Sequence, residues 1–252
     1  MELKPIKYYY RKELKKCLGD GDNKYIKEYT TKGFKKSYEM WNDYSHESIE
    51  SFFNDFIKEY PEEYLIENCK RCHSVMPHVK FEDLFDILFR RLVIDAFIGF
   101  KAEEVLRESL IKSGYKVHDY SVISKQDEIV LDTKYGIDMM AFENGEVKGF
   151  FQVKNTTTFA TNGEYIKKKR KEFFNKEVEA NNYIGTKGSK DYKYLIFYIY
   201  DKDAYINDGE FRFFVNPNVD DKCGFLLYHL IRNDGSLRLN VKSLKSRPLK
   251  TD

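Results

Sequence analysis

Asn144-Gly145 stands between two runs of alternating apolar and polar residues, and this dipeptide constrains the fold more than any other short stretch of the chain. It predicts a β-hairpin whose first strand leaves Gly136-Ile137-Asp138 and whose second carries Phe151-Gln152-Val153-Lys154-Asn155. Side chains two apart on a strand share a face, so Gln152 and Lys154 point the same way. A plain two-residue turn would pair Glu143 with Glu146 and set Asp138 opposite Phe151, leaving Gln152 and Lys154 on the far face. Bringing the three polar residues together therefore requires an odd loop or one bulge, most simply a three-residue turn with Gly145 in the left-handed conformation.

A carboxylate and an amide oxygen on one face can hold a hard divalent cation, and a lysine beside them can orient water and offset charge on an attacked phosphate. The motif Gly136-Ile137-Asp138 … Gln152-Val153-Lys154 resembles the PD-(D/E)xK nuclease superfamily, most closely its restriction-endonuclease and Mrr-like members. The likeness runs over about residues 100–155 and includes an upstream helix that carries an acid and ends in glycine. Ala102 to Gly114 supplies that helix, with Glu103 on the stripe of Leu106 and Leu110. Gln152 departs from the superfamily pattern, which more often has Glu or Asp there, and removes one negative charge from the site.

The resemblance implies an α/β fold with a mixed central β-sheet flanked by helices, a restriction-endonuclease-like α/β/α core over 96–252 preceded by a helical region over 1–95. It implies a Mg²⁺-dependent DNA endonuclease, a hydrolase of a type II-like restriction system. One or two Mg²⁺ ions would be held by Asp138, Glu103 (or Glu104), the Gln152 side chain and the Val153 carbonyl, with Lys154 catalytic. Two other functions stay open: a structure-selective nuclease of Holliday-junction or repair type, and a DNA-binding module of the same fold without catalysis. The partner is double-stranded DNA, and cutting both strands of a palindrome calls for a homodimer.

DNA contacts are expected at Asn155 and Thr156, directly after Lys154, and at the run Lys167-Lys168-Lys169-Arg170-Lys171, which would bind phosphates without reading sequence. The run reads equally as a solvated helix face. With 43 Lys and Arg against 41 Asp and Glu, net charge gives no independent sign of a nucleic-acid partner.

Elsewhere Ser48 to Tyr60 reads as a helix stopped by Pro61, and Phe81 to Phe97 as a strongly apolar helix, either core or a dimer interface. Tyr115–Val122 and Glu128–Thr133 read as strands, and Tyr165–Asn181 as a helix. Tyr194–Tyr200 reads as a strand buried on both faces, Phe211–Val215 as a neighbouring strand, and Val219–Ile231 as a late helix. Cys69 and Cys72 with His73 and His78 suggest half a zinc site, but reduced structural cysteines are the favoured reading. No apolar run reaches the ~20 residues of a membrane span, so a cytoplasmic protein without membrane attachment is expected.

Overall fold

The computed structural model describes residues 1–43, 46–156, 164–188, 191–193, 195–217 and 226–227, and its architecture is mixed α/β. The chain divides into two compact units, Met1–Lys101 and Ala102–Asp252. The division falls inside the helix Asp95–Lys112, a few residues past the expected 95/96 boundary.

Unit one is helical. A 3₁₀ turn at Ile6–Tyr10 leads into α1 (Lys12–Lys16), α2 (Asp22–Asp43), α3 (Ile49–Glu59), α4 (Glu62–Val75) and α5 (Phe81–Phe89), and a π-helical turn at Arg90–Ile94 joins α5 to α6 (Asp95–Lys112). Ser48 caps α3 by accepting from the Ser51 N–H, and the helix stops ahead of Pro61, whose ring cannot continue it. The π turn disturbs the regular i→i−4 ladder, and Ser37 on α2 donates to the Leu92 carbonyl at 2.9 Å. Leu84, Ile87, Leu88, Phe89, Leu92, Val93, Ile94, Ala96 and Phe97 are all buried inside this unit. Most of the apolar residues of the stretch expected either in the core or at a dimer interface are thus buried, while Phe81 and Phe85 are half-buried. Cys69 and Cys72 lie in the same interior, packed with Leu14, Ile26, Met76 and Leu88.

Unit two holds the sheet. After α6 come α7 (Lys125–Tyr135), β1 (Met139–Glu143), β2 (Glu146–Thr156), α8 (Glu164–Gly185), β3 (Leu195–Asp201), α9 (Lys202–Asp208), β4 (Phe213–Pro217) and β5 (Leu226–Leu227). The strands form one mixed sheet in the order β1-β2-β3-β4-β5, with β2 and β3 parallel across the α8 crossover and the other pairs antiparallel. Leu195 to Tyr200 are buried throughout, as the apolar run requires. On one face Phe150, Phe197 and Ile199 pack with Leu131 and Tyr135 of α7 and Phe173, Ala180 and Ile184 of α8. On the other, Phe151 meets Tyr198 at 5.8 Å between ring centroids, and Tyr198 meets Phe213 at 6.4 Å.

Two expected strands are corrected. Glu128–Thr133 is part of helix α7, capped by Ser124, whose hydroxyl accepts from the Asp127 N–H, and closed by Gly136 at φ 66°. Tyr115–Val122 is loop, touching the sheet by one isolated bridge between Lys116 and Phe142. Of the expected late helix at Val219–Ile231, Leu226–Leu227 is strand β5 and the remainder lies outside the described residues.

Candidate active site

The turn at Asn144-Gly145 is a plain two-residue turn with both residues at positive φ, 54° and 75°, and Glu143 pairs with Glu146. The three-residue turn is therefore corrected. The register is restored by a bulge instead, because Ala141 pairs with Gly149 and Phe142 with Val147, leaving Lys148 as the extra residue. Met139 then falls opposite Phe151, which sets Asp138 opposite Gln152. Asp138, Gln152 and Lys154 consequently share one face of the hairpin.

Asp138 sits one residue before β1, where its Oδ2 accepts from the Val153 N–H at 2.5 Å and lies 3.9 Å from Lys154 Nζ. The Val153 carbonyl leaves the same strand edge as its N–H, past the point where β1 begins. Gln152 is 1% exposed; its Nε2 donates to the Gly136 carbonyl, and its Oε1 is buried with no hydrogen-bond partner. A buried amide oxygen left unpaired is costly unless something accepts its lone pairs.

Glu103 comes from α6. Burial pushes its carboxyl up to about 8, with the Asp138 charge adding and Lys154 and Arg107 opposing. Burial likewise pushes Asp138 up to about 6, against Lys154, the Val153 N–H and Lys176. Glu103 thus feels the charges of both Asp138 and Lys154. Burial and a neighbouring like charge both disfavour the ionised carboxylate, and a bound cation would favour it. Two such carboxylates, a strand-edge carbonyl and an orphaned amide oxygen are all hard oxygen donors, so the residues present fit Mg²⁺. They do not form a cluster of three His, Cys, Asp or Glu side chains, and none occurs among the described residues.

Two residues enter that the sequence did not suggest. Asp132 on α7 is raised by burial and Glu128, and lowered by Lys154, which places it in the same electrostatic neighbourhood. Lys176 on α8 reaches the α7 cap, where its Nζ would stand 3.2 Å from a Cβ at Gly136. The lack of a side chain at Gly136 is essential here, since that Cβ would also come within 2.6 Å of Gln152 Nε2. Gly136→Ala should cost about 1–2 kcal/mol from the left-handed backbone alone. A thermal melt equal to that of the wild type would show that the cap is not under this constraint.

Asn155 is exposed just beyond Lys154 on β2. The Thr156 side chain and those of Lys167, Lys168, Lys169, Arg170 and Lys171 lie outside the described residues, so only the backbone is placed there, in β2 and α8. In unit one, burial pushes the Cys69 and Cys72 thiols up to about 12 and about 11. His73 Nδ1 is engaged by the Val79 carbonyl and His78 Nε2 by Asp22, so each ring has a partner other than the cysteines.

Compared with known protein families, curated proteins and solved structures, the chain shows no match. No helix among the described residues is long and apolar enough to cross a membrane.

Proposed function

We propose that the chain is a Mg²⁺-dependent DNA endonuclease of the restriction-endonuclease-like fold, acting on double-stranded DNA as a type II-like restriction enzyme. The observation that carries this reading is the bulge at Lys148, which aligns Asp138, Gln152 and Lys154 on one face where a plain hairpin would have split them. A bulge that gathers the polar residues is a constructive feature, since it interrupts an otherwise regular ladder. The order of α6, hairpin, α8 crossover and parallel β3 is in keeping with the resemblance read from the motif.

Asp138, Glu103, the Val153 carbonyl and Gln152 Oε1 would hold the metal. A bound Mg²⁺ supplies Lewis acidity and neutralises charge developing on phosphate oxygens. Lys154, held loosely at 3.9 Å from Asp138, is free to turn its ammonium to the attacking water and the pentavalent phosphate. Val153 fixes Asp138 through its N–H and so orients the carboxylate before substrate arrives.

The test is incubation with methylated and unmethylated DNA of varied sequence plus Mg²⁺, followed by sequencing of the ends. Discrete ends at one short motif are expected. Cutting confined to four-way junctions would assign the chain to the resolvases instead, and binding with no cutting in Mg²⁺ or Mn²⁺ would reduce it to a DNA-binding module. The homodimer expected for palindromic cutting is part of this proposal.

A further inference from the structure

We infer that Lys176 is a second phosphate-binding cation of this site, contacting the DNA strand that Lys154 acts on; the inference rests on the nuclease reading above. Lys176 lies on α8, the helix that follows β2 and packs over the sheet face carrying Phe197, where Phe173 stacks on that ring. Phe197 is in register with Gln152, so α8 covers the face to which Gln152 belongs. The Lys176 ammonium and the Gln152 amide converge on the same spot at Gly136, 3.2 Å and 2.6 Å from the position a Cβ would take.

Among the described residues the ammonium makes one ion pair, and that a weak one. Its side chain is 29% exposed, and its ion-pair partner Glu172, one turn earlier on α8, stands 3.7 Å away and is 46% exposed. That separation is too long for a hydrogen bond, and exposed pairs of this kind hold their partners weakly. A phosphate oxygen can therefore replace Glu172 at little cost.

Charge balance gives the ammonium its purpose. With their carboxyls ionised, as a bound cation would favour, Glu103, Asp138 and Asp132 bring three negative charges to the neighbourhood, which one divalent cation and Lys154 would only cancel. A site that must attract a polyanion needs a surplus of positive charge. Arg107 supplies one on the α6 side and Lys176 one on the α7 cap side. Lys176 also holds the Asp138 carboxyl down, so its field reaches the centre of the site.

The experiment uses the full chain and a DNA duplex containing a site mapped by end sequencing. Affinity is measured against salt with Ca²⁺ in place of Mg²⁺, and single-turnover cleavage is measured with Mg²⁺. Lys176→Gln should lower the slope of log affinity against log salt by about one, the signature of one lost phosphate contact. It should also slow cleavage about tenfold to a hundredfold, with Lys176→Arg restoring most of both. A fold defect in Lys176→Gln would show in its melting curve, and the arginine variant then carries the comparison. Wild-type cutting with Lys176→Gln equally fast and its salt slope unchanged overturns the role of Lys176 and leaves the nuclease reading intact. Wild-type protein that binds the duplex and never cuts overturns both.

Discussion

Asp138→Ala is expected to abolish Mg²⁺-supported DNA cleavage, and Lys154→Ala to slow the single-turnover rate by about 10²–10³-fold, the loss typical of one preorganised charge stabiliser. The two variants should fail differently. Asp138 is the carboxylate that the Val153 N–H holds in place at the start of β1, so its removal takes away a ligand and leaves the Val153 N–H without its acceptor. Raising Mg²⁺ should then recover little activity. Lys154 holds no metal, so its variant should bind Mg²⁺ almost as the wild type does, lose no more DNA affinity than one phosphate contact supplies, and lose rate at saturating metal and DNA. Lys154→Arg should recover only part of that rate, because a planar guanidinium cannot reproduce a compact point charge 3.9 Å from Asp138. DNA affinity in Ca²⁺, measured beside the cleavage rate, separates these effects from misfolding. Cleavage within a few-fold of wild type by either alanine variant would dismiss the proposed site.

The site was legible in the sequence wherever a local pattern carried it. Asn144-Gly145 announced the hairpin, period-two alternation put Gln152 and Lys154 on one face, and the need for an odd step in register could be stated from counting alone. The form of that step could not. Lys148 is followed by Gly149, and this pair gave no stronger signal than Gly145 did, so the extra residue was assigned to the turn. Helix α7 was missed for a different reason. Ile129, Val130 and Thr133 are β-formers by propensity and pull toward a strand, against Ser124 with Asp127 at the start and Gly136 at the end, which are helix signals. Mistaking α7 for a strand hid Asp132, since its direction depends on a helical period. Lys176 was invisible because its approach to Gly136 is a contact across forty residues, made by α8 folding back over the sheet, and no local pattern encodes it. The apolar Phe81–Phe97 stretch showed correctly as helix, but sequence alone could not tell a core helix from an interface, as both need the same stripe.

In metal-free protein Glu103→Gln should raise the melting temperature at pH 8 while removing metal-dependent function. Burial and the neighbouring Asp138 carboxylate push Glu103 up to about 8, and Asp138 itself stands at about 6. A carboxyl raised in the folded state binds its proton more tightly there than in the unfolded chain, where glutamate titrates near 4.3. Its favourable contribution is therefore fully present below about pH 4 and is lost as pH climbs to about 8, through the raised value. With chelator present, wild-type stability should fall across this window, and the glutamine variant should fall less steeply because an uncharged amide has no proton to lose. Even if only one unit or slightly more of that upward shift counts toward stability, the relief is about 1–2 kcal/mol, a rise of about 2–8 °C for a chain of this size. Adding Mg²⁺ at pH 8 should reverse the ranking. The wild type gains stability from a ligand bound only by the native state, about 2.7 kcal/mol at a hundredfold excess over Kd, whereas the variant has lost a ligand and gains less. Differential scanning calorimetry of both proteins at pH 5 and pH 8, with chelator and with Mg²⁺, reads all four quantities. Parallel wild-type and variant profiles between the two pH values, with equal Mg²⁺ stabilisation, would place Glu103 outside the metal site and leave Asp132 as the acid to test next.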